Sequence, residues 1–319
     1  MPSEFDIIAR FFTRPTPTAT LGIGDDCALL LSRPDMLTAI SCDMLVSGIH
    51  FFADTDPRQL GHKSLAVNLS DLAAMGARPV AFTMALALPA PDEAWLKPFS
   101  EGLFAVAEQY RCELIGGDTT RGPLNICVTI FGETPVNEVL RRDQAQPGDD
   151  IWVSGVLGEA RVALEFLKGS ISLEPALREA ALTRLQMPTP RVALGMAIRQ
   201  RAHAAIDLSD GLIGDLSHIL SRSKVGATLN IDALPAGPAL AGQAQDFRLR
   251  CLLAGGDDYE LCFTAPPDSR NAILEAAHKT DTPVTRVGVI EPTSGLRLLN
   301  AKGEAQTFRH TSFDHFLNS

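Results

Sequence analysis

Aspartates recur along this chain beside small or polar residues: Gly24-Asp25-Asp26, Ser41-Cys42-Asp43, Asn68-Leu69-Ser70-Asp71, Gly116-Gly117-Asp118, Asp207-Leu208-Ser209-Asp210 and Gly255-Gly256-Asp257-Asp258. Carboxylate oxygens suit hard cations, and Mg²⁺ is commonly held by one or two carboxylates together with water and substrate phosphates. Neighbouring glycines let backbone N–H groups come close to phosphate oxygens. The pattern points to phosphoryl transfer from a metal-bound polyphosphate. No lysine precedes Lys63, whereas Asp25, Asp26, Asp35, Asp43, Asp54 and Asp56 all do. Lysine is therefore not the main phosphate clamp in that stretch, and if a polyphosphate binds beside those carboxylates, divalent metal must offset the repulsion. Taken singly, each aspartate has a simpler account as a solvated loop carboxylate.

The individual motifs carry two readings each. Asp207-Leu208-Ser209-Asp210-Gly211 lies at a strand-to-helix junction, where one Asp or Ser serves as a helix cap. Capping explains one acidic residue, not two with a serine between, so the functional reading puts Asp207 and Asp210 on metal and Ser209 near a phosphate. Gly116-Gly117-Asp118-Thr119 reads either as a plain turn or as a close backbone approach to a phosphate. His50 follows Asp43 at i+7 and is either structural or part of the same site. Arg141-Arg142 offers planar donor forks suited to phosphate, or a solvated pair in a polar loop. Neither a P-loop nor the protein-kinase motif set occurs, and Gly22-Ile23-Gly24 lacks the third glycine of a dinucleotide fingerprint. Any use of ATP is therefore on a different fold.

The elements that must hold these residues follow from periodicity. Residues 4–12, capped by Ser3, read as an amphipathic helix with Phe5, Ile8, Ala9 and Phe12 on one face. Residues 37–41 read as a strand delivering Asp43 at its end, and 57–74 as a long helix. On that helix Ser64, Asn68 and Asp71 form a polar stripe at i, i+4 and i+7, which faces either water or a site. Strands at 79–88, 113–115 and 124–133, with a helix at 92–110, complete a mixed layer. The polar stretch 141–150, with Pro147-Gly148, marks a boundary between domains 1–145 and 146–319. The second half alternates again: a strand at 151–154, helices at 159–167, 174–186 and 192–200, a strand at 204–206, and a helix from 212 to 220. Strands at 227–231 and 261–264, a helix at 268–280 and closing strands follow. The fold class is α/β with mixed sheets in two domains.

Composition fits an ordinary globular chain: 319 residues, 45% hydrophobic and 21% charged. A formal charge of −10 argues against a general nucleic-acid surface. Six cysteines show no C-x-x-C pair and no zinc spacing, as expected of reduced thiols in the cytoplasm. The first residues lack a basic region followed by an apolar run, so no signal peptide is expected, and the most apolar stretch, 80–88, is too short for a membrane span.

Taken in order, Gly22-Ile23-Gly24-Asp25-Asp26-Cys27-Ala28-Leu29-Leu30, Ser41-Cys42-Asp43, His50-Phe51, Ala66-Val67-Asn68-Leu69-Ser70-Asp71-Leu72-Ala73-Ala74-Met75-Gly76-Ala77, Ile115-Gly116-Gly117-Asp118-Thr119-Thr120-Arg121-Gly122, Ile206-Asp207-Leu208-Ser209-Asp210-Gly211-Leu212 and Gly255-Gly256-Asp257-Asp258-Tyr259-Glu260-Leu261 closely resemble the thiamine-monophosphate kinase family. The wider superfamily includes aminoimidazole-ribonucleotide and selenophosphate synthetases. The resemblance implies transfer of the ATP γ-phosphoryl group to thiamine monophosphate, several Mg²⁺ ions, and a homodimer formed through the N-terminal sheet. It puts Asp26, Ser41, Cys42, Asp43, Asp71, Asp118, Asp207 and Asp210 on metal, with Asp43, Asp118 and Asp210 central to catalysis. ATP falls to Tyr110, Gly117, Asp118, Arg142 and Ser209, and the thiamine substrate to His50, Asp257 and Phe313. Cys42 stands where the family often has threonine, which leaves only its main-chain carbonyl as a ligand. The other expectations kept open are a different synthetase of the superfamily and a nucleotide sensor without turnover.

Overall fold

The structure, a computed structural model, describes residues 3–313. Two compact units are present: one runs up to Leu72 and resumes over Ala77–Asn137, and the other comprises Ala73–Gly76 and everything from Glu138.

The first unit opens with α1 (Glu4–Ile7), where Ser3 and Asp6 exchange capping bonds between their side chains and backbones. A π-turn over Ile8–Phe12 follows in place of a continued α-helix. An i→i+5 turn takes up an extra residue, and the buried residues are Ile7, Phe11 and Phe12: of the predicted face Phe12 is buried and Ile8 half-buried, whereas Phe5, 79% exposed, and Ala9 face out. A short antiparallel pair, β1 (Ala19–Leu21) and β2 (Leu29–Leu30), comes next. The main layer is β3 (Met36–Val46), α2 (Pro57–Ala74), β4 (Arg78–Leu88), α3 (Glu93–Tyr110), β5 (Glu113–Arg121) and β6 (Asn125–Pro135). Its strand order is β3-β6-β4-β5, with β4 and β5 parallel and the other neighbours antiparallel. A parallel pair needs a crossover, and α3 supplies it, started by the Asp92 cap and stopped by left-handed Arg111. Leu65, Leu69 and Leu72 of α2, Phe99 and Leu103 of α3, and Phe82 and Ile130 of the sheet fill the core.

The second unit is built on a six-stranded sheet of order β12-β9-β11-β7-β10-β8. Its strands are β7 (Asp150–Ser154), β8 (Ala204–Asp207), β9 (Gly226–Asn230), β10 (Leu261–Ala265), β11 (Val284–Glu291) and β12 (Gly295–Leu299). Only β9 and β12 pair in parallel. The helices are α4 (Glu159–Leu167), α5 (Pro175–Gln186), α6 (Val192–Ile198), α7 (Leu212–Ser223), α8 (Gln245–Ala254) and α9 (Arg270–Lys279). β7, β8 and β10 are buried at every residue, so their short apolar runs read correctly as strands. The mixed α/β class is as expected, and α8 is the helix that periodicity did not reveal.

Candidate functional site

In the first unit β3 and α2 set the geometry. Side chains alternate along a strand, so Ser41 and Asp43 share one face of β3 while Cys42 takes the other. The Ser41 hydroxyl donates to the Asp71 carboxylate. The Asp43 N–H donates to Asn68 Oδ1 at 3.1 Å, and Asn68 Nδ2 donates to the Ser64 carbonyl at 3.0 Å. Ser64 and Asn68 are each 1% exposed, so the polar stripe of α2 is turned toward β3 and not toward water. The strand does not end at Ser41 as predicted: it continues to Val46 and carries Asp43 within it. Cys42 directs its sulfur 3.4 Å from Cys127 Sγ and takes the Thr129 hydroxyl, and along the backbone it stands opposite Thr129 of β6.

The Gly-Gly-Asp segment is strand, not turn. β5 extends to Arg121 because β4 pairs with it residue by residue, Ala85 opposite Asp118. Gly117 has φ +147°, and a Cβ there would sit 2.0 Å from the Met84 carbonyl, so only glycine fits. Asp118 is exposed, as is Asp26, whose N–H donates to Asp25 Oδ1 at 2.8 Å. His50 folds back on the end of β3: Nδ1 accepts the Val46 N–H at 3.0 Å, which selects the tautomer protonated at Nε2. Tyr110 is the last residue of α3.

In the second unit two loops are laced together. Asp257 N–H donates to the Ser209 carbonyl at 2.8 Å, Tyr259 N–H to the Leu208 carbonyl at 2.9 Å, and Leu208 N–H to the Glu260 carbonyl at 2.8 Å. Asp207, 5% exposed, ends β8 opposite Leu261. Phe313 N–H reaches the Asp210 carbonyl at 3.3 Å, which brings the 45%-exposed Phe313 to the same loop. Arg141 is occupied by Asp143 at 2.8 and 2.6 Å, whereas Arg142 anchors its carbonyl on Ser223 and lies close enough to Asp215 to favour that carboxylate's charge.

Asp215 itself was not anticipated. Its Oδ2 accepts the N–H groups of Asp210 and Gly211, each at 3.1 Å, and so sets the exit of the 207–210 loop into α7. Burial, with the charge of Asp210 beside it, pushes Asp215 up to about 7. An acid in the first turn of a helix is the usual signal for end-capping, and it was present in Gly214-Asp215. Asp258 and Glu260 face inward: Asp258 accepts the Gly158 N–H at 3.0 Å with both oxygens, and Glu260 accepts from Arg184, Arg191 and Ser154. Nothing in the sequence signals that set, whose members are far apart along the chain.

The structure thus groups Ser41, Asp43, Asn68 and Asp71 in one unit, and Asp207, Ser209, Asp210, Asp257 and Phe313 in the other. Among the described residues no three of His, Cys, Asp and Glu stand together as a preformed metal cage. No helix among them is long and apolar enough to cross a membrane.

Residues 24–134 match the family model of the AIR synthase related protein N-terminal domain, and residues 146–299 match the C-terminal domain model. The chain is 46% identical over 319 residues to the thiamine-monophosphate kinase of Salmonella typhimurium, covering 98% of each chain. A crystal structure of thiamine-monophosphate kinase from Stenotrophomonas maltophilia is 48% identical, with a TM-score of 0.85 over 94% of this chain and 95% of that one. A further structure, of AaThiL complexed with AMPPCP and TMP, is 29% identical with a TM-score of 0.78, over 90% and 89% of the two chains.

Proposed function

The chain belongs to the thiamine-monophosphate kinase family, and from that premise we propose that it transfers the γ-phosphoryl group of ATP to thiamine monophosphate, giving ADP and thiamine diphosphate. The observation that carries this reading is relatedness along both units, extending to a relative solved with the nucleotide analogue AMPPCP and with TMP.

We assign Mg²⁺ to Asp26, Ser41, the Cys42 carbonyl, Asp43, Asp71, Asp118, Asp207 and Asp210. The fit is chemical: the donors are carboxylate, hydroxyl and carbonyl oxygens, the set that Mg²⁺ takes. Mg²⁺ held by one or two carboxylates plus phosphates does not require a preformed cage. When bound, it neutralises charge developing on the β- and γ-phosphoryl oxygens. Tyr110, Gly117, Asp118, Arg142 and Ser209 are assigned to ATP, with the bare Gly117 backbone and the planar Arg142 fork suited to phosphate. His50, Asp257 and Phe313 are assigned to the thiamine substrate, Phe313 offering an aromatic face for stacking.

The acceptor is a phosphate monoester, already mostly anionic at neutral pH, so no residue need act as general base. A bond forms from its oxygen to Pγ as the bond from Pγ to the β,γ-bridging oxygen breaks, and that oxygen leaves with ADP. The protein's task is to hold two anions in line, which Asp43, anchored through Asn68, and Asp210, anchored through Asp215, are built to support.

Homodimerisation through the N-terminal sheet is supported by its open face, where Ile40 and Met44 are 63% and 52% exposed. Six free thiols support a place in the cytoplasm.

The test is phosphorus NMR of the protein with ATP, MgCl₂ and thiamine monophosphate. ADP and thiamine diphosphate should appear in equal amounts, and EDTA should abolish both. Asp43→Asn should cut kcat at least about 100-fold with circular dichroism unchanged. ATP binding without either product would overturn the assignment.

A further inference from the structure

Segment 255–260 is strained where it meets loop 207–210. Asp257 and Tyr259, neither of them glycine, have φ of +59° and +49°, a left-handed conformation that non-glycine residues adopt only when their surroundings enforce it. Gly256 is left-handed as well, and a Cβ on it would sit 2.9 Å from the Ser209 carbonyl. The alternation sends Asp258 and Glu260 into the interior and leaves Asp257 and Tyr259 less buried.

The enforcing groups converge on Glu260, which is 0% exposed. Arg191 reaches it with a two-pronged fork, Nε to Oε2 at 2.6 Å and Nη2 to Oε1 at 2.5 Å. Arg184 Nη2 adds a bond to Oε1 at 2.5 Å, and the Ser154 hydroxyl one to Oε2 at 2.5 Å. Ser154 Oγ in turn accepts the Leu261 N–H at 2.8 Å, tying the same strand end a second time. Gly155 makes room: a Cβ on it would fall 2.0 Å from Glu260 Oε1. Charge-assisted bonds of this kind are the strong ones, and a forked arginine fixes direction as well as distance.

We propose that Glu260 is a positioning residue. Pinned by Arg184, Arg191 and Ser154, it holds segment 255–260 in its left-handed conformation against loop 207–210, and so fixes Asp207, Asp210 and Asp257 for substrate and metal. Its own carbonyl takes the Leu208 N–H, so the pinned residue is directly bonded to the loop it positions. The kinetic part of this inference rests on the assignment of those aspartates in the proposed function; the mechanical part does not.

The experiment compares wild type, Glu260→Gln and Asp150→Asn. Asp150 is the control because it too is a buried carboxylate between arginines, Arg270 and Arg286, in the same unit, but at the opposite end of β7 from Ser154. Amide exchange in the unligated protein should quicken at least tenfold at Leu208, Asp257 and Tyr259 in Glu260→Gln and stay unchanged there in Asp150→Asn. Well below the melting temperature, Glu260→Gln should raise KM for thiamine monophosphate at least tenfold and raise the Mg²⁺ concentration for half-maximal rate. Combined with Asp257→Asn, its loss should be far less than the product of the two single losses, as for groups that act together. If Glu260→Gln does not fold, Ser154→Ala gives the same reading with a smaller effect. Unchanged exchange at the three amides, or a lowered melting temperature with wild-type KM, would overturn the proposal. Absence of thiamine diphosphate from the wild type would instead overturn the proposed reaction, and the exchange result would still decide the clamp.

Discussion

Asp257 and Asp258 are adjacent in sequence and differ in setting, the first half-buried and the second buried. Asp258 is 5% exposed, and burial pushes its carboxyl up to about 8 even though the Gly158 N–H pulls the other way. A carboxyl ordinarily near 4 when unfolded therefore keeps its proton in the folded chain across the range in which the unfolded chain loses it. The native state binds more protons there, so stability falls as pH rises from about 4 to about 8. Asparagine cannot ionise and still offers an oxygen to Gly158. Asp258→Asn should thus leave stability near pH 4 little changed and raise it relative to wild type at pH 8, on the order of 1 kcal/mol or more. Urea unfolding at the two pH values measures this, and an equal difference at both would refute it. The sequence placed the acidic pair correctly beside glycines. It gave no means of separating the two, because the left-handed backbone at 257 and 259 is imposed by packing and not announced by residue type. The same holds for Asp215 and Glu260, whose partners are fixed by tertiary contact.

At the scale of elements, the polar stripe of α2 works only while the helix keeps its place against β3, and α3 holds it there. The two helices touch backbone to backbone: a Cβ on Gly61 would lie 2.1 Å from the Phe99 carbonyl, and one on Gly102 would lie 1.9 Å from the Arg58 carbonyl. Glycine to alanine inside a helix normally stabilises by about 1 kcal/mol. Here the added carbon meets main chain that cannot swing away, and overpacking of that kind costs about 1–3 kcal/mol. Gly102→Ala should therefore lower the urea midpoint, and it should also reduce kcat, since Asn68 and Asp71 move with α2. A raised midpoint would show that the helices separate without cost. The helix at 57–74 is legible because Leu65, Leu69 and Leu72 recur at i, i+4 and i+7, the spacing of one helical face. The sequence pattern of β3 fades after Ser41 because its outer face carries Ile40 and Met44, which blurs the polar and apolar alternation that defines a half-buried strand. The pattern of β5 fades early for a different reason: Gly116-Gly117-Asp118 has turn composition, and only the parallel partner β4 keeps it extended. α8 shows no helical periodicity in the sequence because burial is concentrated at its C-terminal end, over Cys251, Leu252, Leu253 and Ala254.

At the scale of the whole molecule, a net charge of −10 makes copies repel one another, and association needs a local apolar surface to outweigh that repulsion. The four-stranded sheet of the first unit provides one. Its other face packs on Leu65, Leu69, Phe99 and Leu103 of the helices, while Ile40, Met44 and Cys42 of β3 stand exposed in line with half-buried Cys127, Thr129 and Phe131 of β6. β3 is also an edge strand, so its outer backbone groups add to an unpartnered surface. A face of this kind on one copy is complementary to the same face on another, the arrangement a two-fold dimer requires. Ile40→Lys places a charge where burial would be needed and leaves the inner face, with Ser41 and Asp43, untouched. Sedimentation velocity should show the wild type at twice the chain mass of 34.2 kDa and Ile40→Lys at the chain mass. A dimer that persists in Ile40→Lys would move the interface to another surface, and a monomeric wild type would remove it. If the variant is monomeric and still turns over, each chain carries its complete chemistry. If turnover is lost with the dimer while the fold survives, the sheet face also holds β3, and with it Asp43, in working position.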